Sequence, residues 1–346
     1  MKNLNGILFG SKTGTTSFLL KGKDMKTIPL PKLSTPGKID LARAALANDI
    51  VLLSKLIAAI PGDPKARGTT KYYAARFLSW FEDQSGPLYF SVFASAGNMK
   101  LPFYAFSSLP GFDCPGAGAC LYGENEFTPE NFGKGWCYSF TAWRYPAAFF
   151  RQLQNSILLR STAGRAIVAS KFADIPAGRT VRLYVDGDFA NLAILRFWMD
   201  QCKSRDDITI AGHNGIAGYG YSKSWKIFLE LDKQGYKWPS NYLLNVSSGS
   251  RYDSSVKDRV LQLDCTRGEF VAVPVARKWI TSKAYQDKGN DGSKEYRKEV
   301  ASQLRKAGHK KVFACPGACG NCIAKKEHAC GSNRLRGVVI GIGIHS

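Results

Sequence analysis

Thr180-Val-Arg-Leu-Tyr-Val-Asp-Gly-Asp-Phe189, running on into Ala190 to Cys202, is the stretch that decides the fold. Its first half alternates apolar and polar residues and predicts a strand over Thr180 to Val185. Its second half has apolar residues at helical spacing over Ala190 to Cys202. A strand that ends in two acidic residues around a glycine and feeds a helix is half of a βαβ unit. The pattern continues outward. Ile208 to Ala211 or Ile216 to Tyr221 reads as the next strand, Trp225 to Gln234 as a helix stopped by Gly235, and Tyr242 to Val246 and Glu269 to Val275 as strands. Upstream, Arg165 to Ser170, Leu101 to Phe106 and Leu88 to Ser95 also read as strands, and Tyr145 to Leu159 as a helix. The expected class is α/β, with a parallel βαβ core that is an open sheet or a partial barrel.

Two further parts flank this core. A basic arm over residues 1–40 leads to a helix capped by Asp40 and ended by Pro61, then to a helix over Thr70 to Glu82. Lys278 to Lys311 is charged, with a helix over Lys294 to Lys306, and Val338 to Ile344 reads as a last strand. The expected division is 1–87 (arm and helical subdomain), 88–280 (α/β core) and 281–346 (basic helix and Cys-rich segment).

Seven of the nine cysteines fall in two groups. Cys114, Cys120 and Cys137 are spaced C-x5-C-x16-C, and Cys315, Cys319, Cys322 and Cys330 are spaced C-x3-C-x2-C-x7-C. Thiols at such intervals, with Gly and Pro between them, are expected to hold zinc or a [4Fe–4S] cluster. The second group supplies four ligands. The first supplies three, so its fourth position is open, or is filled by the other group, a substrate or a further residue of the chain. The C-x3-C-x2-C interval is also that of radical SAM enzymes, but those carry it after the first barrel strand and with an aromatic where this chain has Asn321. Cys202 and Cys265 read as buried packing residues. His328 is a spare candidate ligand.

The 346 residues carry 48 basic and 27 acidic side chains, a net charge of +21. That excess points to a polyanionic partner, DNA in the first place. No secretory signal and no run long enough to span a membrane is present, so the expected compartment is the cytoplasm, with reduced thiols. The absence of G-x-x-x-x-G-K-[ST] excludes a P-loop ATPase. The absence of a His-hydrophobe-His pair excludes the usual rolling-circle nickase.

The strand ends hold the remaining candidates. Asp186 and Asp188 are candidates for a divalent cation or for substrate orientation, with helix capping by Asp188 as the plain alternative. Tyr219 and Tyr221 are candidate nucleophiles for DNA strand transfer. Arg182, Lys223 and Arg251 are candidates for nucleic-acid contact.

Taken together, Phe106 to Pro110, Cys114-Pro-Gly-Ala, Cys120, Cys137-Tyr138, Arg144-Tyr145, Gln154-Asn155, Gly187-Asp188-Phe189 and Tyr221-Ser-Lys-Ser224 resemble the gene product eighty-eight family of phages and small plasmids. This chain has Asp186 where the family pattern has Ser, Ser222 where it has Thr, and a longer interval between Cys120 and Cys137. The resemblance implies a metal-centred α/β core and a mobile genetic element as source. A basic protein of this size from such an element is expected to bind DNA, foremost in plasmid replication initiation. Two alternatives stand beside it: an iron–sulfur enzyme related to radical SAM barrels, and a non-catalytic DNA-binding protein stabilised by zinc.

Overall fold

The computed structural model describes residues 35–344, apart from 85, 96–102, 207, 210–211, 214, 276–293, 318, 320–321 and 323–328. Most of the expected basic arm, the first part of the charged segment after 278, and His328 lie outside the described residues.

Three helices open the described chain: α1 (Thr35–Leu46), α2 (Ile50–Ala58) and α3 (Thr70–Glu82). The single helix expected from Asp40 is two helices. Asn48 turns left-handed at φ 56°, and Asp49 caps the second helix by accepting from the Leu52 amide at 2.9 Å. Helix α3 has the expected bounds. Its Phe77 and Trp80 enter the same core as Phe150 and Leu153 of α6 (Pro146–Arg160).

The main sheet contains β1 (Phe93–Ala94), β2 (Tyr104–Phe106), β3 (Thr180–Leu183), β6 (Ala217–Ser222), β7 (Tyr242–Ser247), β8 (Thr266–Val273), β9 (Val312–Ala314) and β10 (Val339–Gly343). A separate two-stranded ribbon pairs β4 (Ile208–Thr209) with β5 (Gly212–His213). Of the two segments offered for the strand after Cys202, the second is therefore the core strand. The strand order is β1-β2-β3-β6-β7-β8-β10-β9, and every pairing is parallel except β1 with β2. From β1 to β8 the order follows the chain without reversal. That is the winding of a barrel segment, not of a doubly wound sheet.

This winding puts the crossover helices on one face. They are α6, α7 (Thr162–Ala173), α8 (Leu192–Lys203), α9 (Trp225–Lys233) and α10 (Ser254–Leu261), and each packs on the next. Helix α8 shows why they dock. Asn191 caps it, and Ile194, Leu195, Trp198, Met199 and Cys202 form its buried stripe. Each such large apolar side chain contributes about 1.5–3 kcal/mol on burial. Val181 and Leu183 of β3 and Leu244 and Val246 of β7 meet these helices from the sheet. At the far edge, α11 (Lys294–Lys306) covers β8, β9 and β10 with Tyr296, Val300 and Leu304.

Several expected elements change. Arg165 to Ser170 is part of α7, not a strand: Ser161 caps the helix by accepting from the Gly164 amide at 2.9 Å, and Val168 and Phe172 are buried one turn apart. A short apolar run such as Ala-Ile-Val-Ala does not by itself distinguish helix from strand. Of Leu88 to Ser95, only Phe93 and Ala94 pair. The last strand, β10, lies between β8 and β9, and both α10 and β9 went unread in the sequence. Among the described residues no helix is long and apolar enough to cross a membrane.

Candidate metal and substrate site

Alternation along the strands sends every second side chain to the face opposite the helices. That face carries Phe103 just before β2, Ala105 of β2, Arg182 of β3, Tyr219 and Tyr221 of β6, Leu243 of β7 and Ile340 of β10. Cys319 and Cys330 pack against Tyr219, Tyr221 and Leu243. Cys315 and Cys322 lie with Ile340, Phe270 and Phe313. The second cysteine group therefore covers this face directly.

The first group reaches the same place from the other end of the sheet. Two short helices frame it, α4 (Ala119–Tyr122) and α5 (Ser139–Ala142). Its loop is pinned to the segments that follow β6 and β7. The Gly118 amide donates to Gly249 O at 3.0 Å, the Arg251 amide to Gly116 O at 3.0 Å, and Ser250 Oγ to Gly116 O and Lys223 O at 3.0 and 2.9 Å. Gly116 allows this approach, because a Cβ there would stand 1.8 Å from Lys223 O. Gly116→Ala is expected to cost about 2–4 kcal/mol by forcing the loop off its seat. Chemical denaturation would show this as a lowered midpoint at unchanged slope.

One cavity of about 450 Å³ joins the two groups. Cys114, Cys120, Cys137, Cys315 and Cys319 line it, together with Arg182, Asp188 and Lys223. Both groups open on the same tetrapeptide, Cys-Pro-Gly-Ala, at 114–117 and 315–318. Backbone amides donate to three of the sulfurs at 3.4 Å: Gly111 to Cys114, Gly317 to Cys315, and Ala329 to Cys322. Amide donors of this kind stabilise thiolate ligands. Burial, then Asp188 and the two neighbouring thiols, push Cys114 up. Burial, then Cys330, Cys319 and Cys322, push Cys315 up. Cys330 is pushed up to about 11, chiefly by burial. In each group the thiols thus feel one another's charge. Among the described residues no three His, Cys, Asp or Glu side chains close onto a single point. The donor set is nonetheless chemically suited to a thiolate-bound metal: five of the thiols line one cavity, three sulfurs accept from backbone amides, Arg182 stands beside Cys319, and Lys223 beside Cys120 and Cys137.

The other candidates take different places. Tyr184 turns left-handed at φ 57° and ends β3 two residues short of the expected Val185, and its hydroxyl accepts from Trp198 Nε1 at 2.9 Å. Gly187 follows at φ 81°, which sets its two acidic neighbours apart. Asp186 accepts from Gln152 Nε2 at 3.0 Å and Ser107 Oγ at 3.3 Å. Asp188 does not cap α8. It accepts from the amides of Phe189, Lys223 and Ser224 at 2.8, 2.8 and 3.2 Å and so ties the β3 end to the β6 end. Burial raises the pKa of both carboxyls against these bonds. With their oxygens engaged, they are better placed to brace the loops than to share a divalent cation.

Tyr219 is 1% exposed, and Tyr221 lies under the Arg182 guanidinium at 4.5 Å. Burial raises the pKa of both phenols well above its ordinary value. A nucleophile for DNA must meet a phosphodiester as a phenolate, and these positions disfavour that. Arg251 sits over the Phe127 ring at 4.9 Å and donates from Nε to Ala117 O at 3.1 Å. Cys202 and Cys265 are buried away from both groups, as their sequence setting indicated. Arg267 escaped notice in the sequence. It is fully buried behind Cys330 and bonds Asn245 Oδ1 at 2.6 Å.

No curated protein and no solved structure matches this chain. Residues 81–336, which include both cysteine groups and the whole cavity lining up to that point, match the family model described as Gene product 88. The chain belongs to the Gene product 88 family.

Proposed function

We propose that this protein is an iron–sulfur enzyme whose reaction takes place in the cavity between its two cysteine groups. The observation that carries the reading is that both groups contribute to one cavity on the face of the sheet opposite the crossover helices. Two zinc knuckles that merely hold loops in place have no physical reason to share a cavity. Redox centres do, because electrons must pass between them and a substrate.

In this reading Cys315, Cys319, Cys322 and Cys330 hold one cluster fully, and Cys114, Cys120 and Cys137 hold another with one position open. When bound, such clusters supply one-electron chemistry. The three-thiol group follows β2, the first parallel strand, which is where radical SAM barrels carry theirs. The chain's own residues have distinct parts. Lys223 and Arg182 place positive charge beside the thiolates. The amides of Gly111, Gly317 and Ala329 donate to sulfur. Tyr219, Phe270 and Ile340 keep water from the second group.

Protein purified without oxygen is expected to contain iron and acid-labile sulfide in equal amounts and to absorb broadly in the visible. Stoichiometric zinc without sulfide would overturn the reading and favour a structural role for the thiols.

A further inference from the structure

The cavity holds unused cationic hydrogen-bonding capacity. Arg182 has five N–H donors to offer. Its Nη2 donates to the Tyr138 hydroxyl at 3.3 Å, while its buried Nε finds no acceptor. Lys223 Nζ donates to Ser247 Oγ at 2.9 Å, which leaves two of its protons free. Among the described residues neither cation is in an ion pair, although both line the cavity. Spare donors on two cations that line one cavity mark a place for an anionic group.

Apart from the cysteines, Ser139, Ser247 and Asp188, whose carboxylate is taken up by the amides of Phe189, Lys223 and Ser224, the remaining wall is aromatic and apolar. Trp136, Tyr138, Tyr221 and Phe270 line it, and its volume of about 450 Å³ suits one nucleotide. At the rim, Phe127 is 49% exposed and carries Arg251 over its ring, while Arg251 is bonded to the cavity residue Ala117. Tyr138 is also 49% exposed. Exposed rings paired with arginine beside a basic cavity are the elements of a single-strand binding platform. A net charge of +21 favours a polyanion over a small acid as the source of the anionic group.

We infer that the cavity receives one nucleotide of a single-stranded nucleic acid, with its phosphate on Arg182 and Lys223 and its base against the aromatic wall. The inference rests on the cavity being the site of the proposed function, but not on the identity of the metal.

The test is fluorescence anisotropy with a labelled short oligothymidylate on the intact, anaerobically purified protein, with thymidine monophosphate and S-adenosylmethionine as competitors. Arg182→Gln is expected to weaken oligonucleotide binding about tenfold or more, since a charged hydrogen bond to phosphate is lost. The slope of log affinity against log salt should fall by about 0.7, one phosphate contact on a single strand. Should the variant not fold, wild-type protein still decides the matter: the oligonucleotide should shield Arg182 from phenylglyoxal, as read by peptide mass. Weak competition by the mononucleotide supports a strand as the source, and full competition supports a free nucleotide of the same chemistry. Unchanged binding in Arg182→Gln, no shielding, or competition by S-adenosylmethionine alone would overturn the inference. Iron and sulfide measured on the same samples separate the two readings. Normal cluster content without nucleotide binding removes this inference and leaves the iron–sulfur reading standing.

Discussion

Cys114→Ser with Cys137→Ser is expected to remove about half of the bound metal and sulfide while the protein stays folded. Serine at neutral pH is a poor ligand for iron or zinc, so two losses leave the first group with Cys120 alone. The fold should survive because the first loop is held by its own backbone bonds, from Gly118 to Gly249 and from Arg251 to Gly116. Cys319→Ser with Cys322→Ser should remove the other half and also lower the melting temperature, because metal bound by the native state adds directly to folding free energy. Metal analysis and circular dichroism on both double variants check this. Complete loss of metal in either one would mean that the seven thiols serve a single site. The metal should also be retained with a definite pH sign. In the metal-free chain burial and neighbouring thiols keep these sulfurs protonated, with Cys330 pushed up to about 11. Binding therefore releases protons, and affinity should rise with pH through the neutral range and fall under mild acid.

Arg267→Met is expected to destabilise the protein by about 3–5 kcal/mol. Arg267 is 0% exposed and bonds four acceptors: Asn245 Oδ1 at 2.6 Å, Val338 O at 2.7 Å, Glu269 O at 2.8 Å and Leu335 O at 3.0 Å. Methionine matches much of its volume but leaves those acceptors buried without donors. Arg267→Lys should recover little, since an ammonium has three donors and cannot reach in a planar fork. The loss should also reach the second cysteine group. Asn245 Nδ2 donates to Cys330 O at 2.9 Å, and Arg267 fixes that amide's orientation. Denaturant titration gives the stability, and metal content of the folded variant gives the coupling. A stable, fully loaded variant would remove Arg267 from this role.

The fold was legible where local chemistry is strong. The bounds of α3, α6, α8, α9 and α11 lie within about two residues of those read from apolar period, caps and Gly235. Strand β3 stood out by alternation, β7 was read to within one residue, and β6 was one of two segments offered for its place. Elements failed where the signal was short. Arg165 to Ser170 had too few residues for either period to declare itself, and β9 is three residues long. Helix α10 was missed although Asp253 caps it at 3.0 Å, because its exposed, polar face dilutes the apolar pattern.

The candidate site divides in the same way. Thiol spacing is a local property, so the two cysteine groups could be read directly from the chain. So could the strand-end positions of Asp186, Asp188 and Lys223, since a strand–loop–helix order puts them there. Alternation along β6 places Tyr219 and Tyr221 on one face, but it cannot say whether that face meets water or a covered cavity. That depends on the winding, which runs the strands in chain order and sends every crossover helix to the other side. Long-range pairing also decided that a loop after β2 and a loop after β9 meet over one cavity, and that Arg267 lies buried among four carbonyl-type acceptors. Contacts between residues so far apart in the chain leave no periodic trace in it, because their energy comes from burial and bonds that exist only once the sheet is assembled.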